Sequence, residues 1–201
     1  MPLIQNTSVE HKEARIVIVA SHAHAMYTPT SINFDDLTTA KENDMTQIQD
    51  ISASLQRYAR SKLGNIQYAR ALQRQLLAEG FSNIYVNCLN PGTIGSSTFG
   101  SDDSPGLPRW VKIASRTLVS ITSISPQAGA LNSLMLATDP DIVVRDIKGK
   151  YFDVGPMGGK FVYGYSFEAE EKLSELARNE KEGERLMSWS EEAVREALGR
   201  S

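Results

Sequence analysis

Tyr58 and Lys62 stand four residues apart within residues 51–63, a run that contains neither glycine nor proline. In a helix that spacing puts a phenol and an ammonium on one face, one turn apart. A phenol is a poor proton donor or acceptor at neutral pH, with a reference pKa near ~10, and a cation fixed beside it favours the phenolate by its charge. The pair therefore suits acid–base chemistry on an oxygen. The bland alternative is a tyrosine lying along the stem of a solvated lysine, so the elements around the pair must decide between the two.

Those elements point to a single crevice. Residues 15–20 are a short apolar run rich in β-branched side chains, the pattern of a strand buried on both faces, and they end directly in Ser21. The tyrosine helix is expected to close at Gly80, which suits a left-handed cap. Residues 84–89 read as a second buried strand, followed at once by Asn90, Pro91, Gly92 and Thr93. Strand, helix and strand with short connections make a right-handed crossover in a parallel sheet. Ligands of such sheets bind beyond the carboxyl ends of the strands, where Ser21, Tyr58 and the Pro91–Gly92 turn would gather. Further on, Ser125 and Pro126 open a helix expected to reach Ala137. Residues 150–153 read as a last strand, and polar helical runs are expected from Phe167 and from Ser188.

Residues 15–21, 32–37, 58–65, 90–92 and 149–152, in that order, make the chain resemble the short-chain dehydrogenase/reductase family, and more narrowly its retinol-dehydrogenase-like branch. The resemblance implies an α/β, Rossmann-type three-layer parallel sheet, here as one partial domain over residues 1–201, the catalytic, C-terminal portion of the fold. It implies reversible interconversion of a carbonyl and an alcohol on a small, fairly apolar substrate, with Tyr58 as proton donor or acceptor and Ser21 holding the same oxygen by a hydrogen bond. Lys62 would bond the nicotinamide ribose beside Tyr58 and stabilise the phenolate. Pro91, Gly92, Ile94 and Ser96 would face the cofactor, Ser96 at a position usually held by threonine. The branch favours NADP(H), with NAD(H) the alternative, and its members commonly form homodimers through the tyrosine helix.

The chain also departs from the family pattern. The family's dinucleotide site is a glycine-rich turn between the first strand and the next helix, where backbone N–H groups meet the pyrophosphate. The first glycine here is Gly64, and the cluster at residues 155–159 has neither the spacing nor a helix after it, so it reads as a loop. Residues 1–14 look like the tail of the helix and loop that feed the serine strand, which gives the expectation that the first βαβ units are missing. A sheet cut there would leave a central strand as an edge and uncover apolar faces that need a partner. The rival reading is accordingly a truncated, catalytically inactive relative or a gene-model fragment, acting at most as an interaction module.

The rest of the sequence mainly excludes. A net charge of −3 over 201 residues, with both signs dispersed, argues against a nucleic-acid surface. No apolar run reaches the ~18 residues of a membrane span, no leader is evident, and the single Cys88 lies in an apolar strand, all of which suits the cytoplasm. His22 and His24 would share a strand face, but no third ligand of matching spacing accompanies them, so no metal is expected and they are placed on the substrate side of the cleft. A hydrolase built on Ser21 is excluded by the lack of a Gly-x-Ser-x-Gly elbow. Asp35, Asp36 and Glu42 read as a solvated loop. Residues 100–110 read as a loop, which the resemblance implies closes over substrate, and Trp110 and Ile113 as core residues more often than substrate contacts, two roles the sequence does not separate. Leu186, Trp189 and Val194, at helical spacing, are expected to cover the sheet.

Overall fold

The computed structural model describes residues 2–26, 32, 34, 48–94, 124–153 and 167–199. Helix α1 (Pro2–His11) leads into strand β1 (Ala14–Val19), whose β-branched residues pair in parallel with β2 (Ile84–Asn90), from Ala14 opposite Ile84 to Val19 opposite Leu89. Between them runs a short helix, α2 (Ala23–Met26), and a long one, α3 (Ile48–Ala78), which ends at Gly80 with φ +89°. Strand β3 (Tyr151–Asp153) continues the sheet in parallel on the far side of β2, and β4 (Phe167–Glu168) closes it antiparallel, giving the order β1-β2-β3-β4.

Every residue of β2 is buried, because the strand is central and covered on both faces. Its side chains alternate accordingly. Ile84, Val86 and Cys88 join Leu63, Ile66, Leu72 and Leu76 of α3 in one core; Tyr85 and Leu89 join Leu136, Ile142, Ile147 and Phe152 in the other. The second core lies under α4 (Pro126–Thr138) and α5 (Asp141–Val144), so the sheet sits between two helical layers, a Rossmann-like α/β arrangement. Helix α4 opens as its sequence predicts, with Ser125 Oγ accepting the Ala128 N–H at 3.1 Å and Pro126 at the first helical position. Because β3 is short, β2 has backbone groups that no strand reaches. Gln73 of α3 fills the gap, donating to Ile84 O at 3.1 Å and accepting from Val86 N at 2.7 Å.

The C-terminal region differs from the expectation. Phe167 begins a strand, not a helix, and is followed by a 3-10 turn (Glu170–Lys172), α6 (Glu175–Arg178) and α7 (Glu180–Ala197). Asn179 sets the start of α7 by accepting the Glu182 N–H, so Ser188 falls in mid-helix. Helix α7 packs on α3 more than on the sheet. Leu186 and Met187 are buried, Trp189 meets Phe34 with ring centroids 5.8 Å apart, and Val194 is exposed. No helix among the described residues is long and apolar enough to cross a membrane.

Candidate functional site

Strand β1 ends at Val19, and its carbonyl is the point where the site is tied together. Lys62 Nζ donates to Val19 O at 3.3 Å and Asn65 Nδ2 donates to the same oxygen at 3.0 Å, so α3 is pinned to the carboxyl end of β1 two residues before Ser21. Lys62 Nζ lies 5.7 Å from the centroid of the Tyr58 ring, the one-turn neighbour that the spacing implied. Tyr58 is 42% exposed, while the adjacent Ala59 is wholly buried and anchors that turn of α3. The phenol thus stands on a fixed helix with its face open.

Ser21 is half-buried in the turn between β1 and α2. Its Oγ accepts the Ala23 N–H at 3.2 Å, which leaves the hydroxyl proton available to a ligand oxygen. Its carbonyl is 2.7 Å from His24 Nδ1. Residues 23–26 are helical rather than extended, so His22 and His24 do not share a strand face. His22 is partly exposed, but His24 is fully buried against Tyr151, with ring centroids 5.3 Å apart, and cannot line a substrate cleft. Burial lowers the pKa of His24 below the ordinary imidazole value, and the neighbouring His22 adds to the effect. Among the described residues no three His, Cys, Asp or Glu side chains converge as metal ligands.

The Asn90, Pro91, Gly92 turn follows β2 at the same sheet edge. Gly92 has φ +82° and its N–H donates to Asn90 Oδ1 at 3.3 Å. Ile94 bridges in parallel to Ile124 and packs on α4, where a Cβ on Gly129 would lie 2.7 Å from Ile94 Cδ1. With Ile94 in this position, any larger residue at 129 requires the isoleucine side chain to shift. Ser96 lies outside the described residues, as do Asp35, Asp36, Glu42, Trp110, Ile113 and residues 155–159.

Sequence reasoning missed the group that joins these turns. Asp153, at the end of β3, has a side chain only 6% exposed; its Oδ1 accepts from Asn90 Nδ2 at 2.7 Å and its Oδ2 from Lys172 Nζ at 2.9 Å, with His22 Nδ1 at 3.8 Å from Oδ2. Asn90 therefore has its amide fixed at both ends, between Asp153 and Gly92. The signal was present: Asp153 ends a strand just as Ser21 follows one. Lys172 and Asn65 had no such signal, because only packing brings them to the edge.

For a dinucleotide, the residues present fit the nicotinamide-ribose end: an open phenol, and an ammonium with further donors beyond the bond to Val19. The glycine-rich phosphate turn has no counterpart among residues 1–63.

No family model matches the chain. It is 32% identical over 143 residues to retinol dehydrogenase 14 of Mus musculus, covering 69% of this chain and 36% of that protein. It is 34% identical over 140 residues to the chloroplastic short-chain dehydrogenase TIC 32 A of Brassica napus, covering 70% and 38%. With the short-chain dehydrogenase/reductase drtF of Aspergillus calidoustus it shares 25% identity over 185 residues, covering 90% and 50%. The matched region thus spans between about a third and a half of these relatives' own length. The chain belongs to the short-chain dehydrogenase/reductase family.

Proposed function

We propose that this chain carries the catalytic portion of a nicotinamide-dependent oxidoreductase that interconverts a small, fairly apolar alcohol and its carbonyl compound, with NADP(H) preferred over NAD(H). The observation that carries the reading is the joint anchoring of Lys62 and β1. The ammonium beside Tyr58 is bonded to the end of the strand that runs on to Ser21, which supports reading the three as one site at the carboxyl edge of a parallel sheet. The names of the relatives support the reaction class, since all three are dehydrogenases or reductases.

In the oxidising direction, Ser21 donates its hydroxyl proton as a hydrogen bond to the substrate oxygen, and Tyr58 as phenolate takes the alcohol proton. Lys62 sets its positive charge beside the phenol, and its remaining donors would hold the ribose of a bound cofactor. Asn65 meanwhile keeps Val19 O satisfied. Pro91, Gly92 and Ile94 would form the wall of the cofactor side, with Ser96 assigned there from the sequence alone. A bound nicotinamide would supply the hydride acceptor for the carbinol carbon, chemistry that belongs to the cofactor and not to these side chains. Positioned proton transfer contributes roughly 10²–10⁴ in rate.

Titration of the purified chain with NADPH, followed by nicotinamide fluorescence, tests the reading. Saturable binding weakened by Lys62→Ala, together with turnover of a carbonyl substrate abolished by Tyr58→Phe, is the expected result. No binding by a folded chain would refute it.

A further inference from the structure

His24 is a fully buried imidazole that no step above uses. Its Nδ1 is 2.7 Å from the Ser21 carbonyl, and a carbonyl only accepts, so Nδ1 must carry the hydrogen. Its Nε2 is buried without a hydrogen bond of normal geometry, and the Lys172 backbone is a second, weaker hydrogen-bonding influence on the ring. The edge-on contact with Tyr151 holds the ring plane, and Tyr151 is itself wholly buried at the start of β3. The backbone N–H of His24 reaches Ser21 O only at 3.4 Å, so the imidazole supplies the better bond.

We propose that His24 is a positioning residue for Ser21: its Nδ1–H fixes the Ser21 carbonyl and, through the turn, the direction of the Ser21 hydroxyl. The assignment rests on the reading of Ser21 as the group that holds the substrate oxygen. The carbonyl bond sets the peptide plane between Ser21 and His22. The next peptide, between His22 and Ala23, follows from that plane through the turn and brings the Ala23 N–H to Ser21 Oγ at 3.2 Å, which limits where the hydroxyl proton can point. The ring acts from behind the turn and touches no ligand.

The variants that separate this role from plain core packing are His24→Asn, His24→Gln and His24→Leu. An asparagine amide nitrogen occupies the position of Nδ1, whereas a glutamine amide extends to that of Nε2. Two readouts need no turnover. Nitrogen NMR of the wild-type imidazole is expected to show the Nδ1–H tautomer. Amide hydrogen exchange is expected to leave Ala23 near wild type in His24→Asn and roughly three- to tenfold faster in His24→Gln and His24→Leu, the factor set by one net hydrogen bond. Ala20, whose N–H bonds Leu89 O at 2.7 Å, is the control for global opening. Where the chain turns over, kcat falls in His24→Gln with NADPH affinity unchanged, and His24→Asn recovers it. An Nε2–H tautomer, or equal acceleration at Ala20 and Ala23 in all variants, would overturn the proposal. A wild-type chain that binds no NADPH but passes both exchange and tautomer tests would sink the enzymatic reading while leaving the His24–Ser21 geometry standing.

Discussion

Replacing Asp153 by alanine should unfasten the Asn90–Gly92 turn and cost the fold about 3 kcal/mol, because a hydrogen bond to a buried charge is worth about 1.5–3 kcal/mol and the orphaned partner adds its own desolvation. The figure follows from the geometry. Asn90 is 8% exposed, so its Nδ2 has little water to replace Asp153 Oδ1 at 2.7 Å. Lys172 is 30% exposed, so its ammonium regains water and adds little. For a chain of this length each kcal/mol lowers the midpoint of thermal unfolding by roughly 2–4 °C, which puts Asp153→Ala about 6–12 °C below wild type. Asp153→Asn, which keeps an acceptor for Asn90 and loses only the ion pair, should fall by less than half as much. Urea unfolding monitored by circular dichroism, with Asn90→Ala and the double variant, completes a cycle in which the coupling should reach about 1 kcal/mol or more. A loss below about 1 kcal/mol in Asp153→Ala, with no coupling to Asn90, would mean that the carboxylate does not hold the turn and would refute this reasoning.

The buried His24 makes the fold acid-sensitive. Its folded pKa lies below the ordinary 6.5, so above that pH neither state binds the proton and its stabilising effect is complete. As pH falls below 6.5 the unfolded chain takes up the proton first, and stability declines toward the folded pKa; chemical denaturation between pH 7 and 5 should show this slope in wild type and a shallower one in His24→Asn. Gly129→Ala sets a Cβ at 2.7 and 2.9 Å from two Ile94 carbons, an overpacking of about 1–3 kcal/mol that outweighs the 0.5–1 kcal/mol gained in helix propensity, so its unfolding midpoint should drop, and a rise would show that Ile94 yields freely. The Cys88 thiol, pushed up to about 12 by burial, should resist a thiol-specific disulfide reagent until the chain unfolds; rapid labelling of the native protein would contradict the packing of β2.

Local pattern was enough wherever a physical rule acts along the chain. The β-branched run before Ser21, the apolar residues 84–89, the Ser125–Pro126 helix start and the Gly80 stop are all short-range, and each appears in the fold where the pattern put it. The one-turn spacing of Tyr58 and Lys62 likewise follows from helix geometry alone. Where partners are distant in sequence, the pattern was silent or misleading. His24 alternated with His22 as if on a strand, yet the chain turns at Ser21 and drives His24 beneath the sheet, since an apolar contact with Tyr151 and one carbonyl acceptor outweigh its hydration. Phe167 looked helical because nothing local shows that β3 offers an open edge for it to pair with. Asp153, Lys172 and Asn90 come from three separated segments, and a charge network of that kind exists only once the strands are in register. The sequence by itself determined the elements and the chemical groups at the sheet edge; tertiary packing decided which of those groups are open to a ligand and which are buried to hold the others in place.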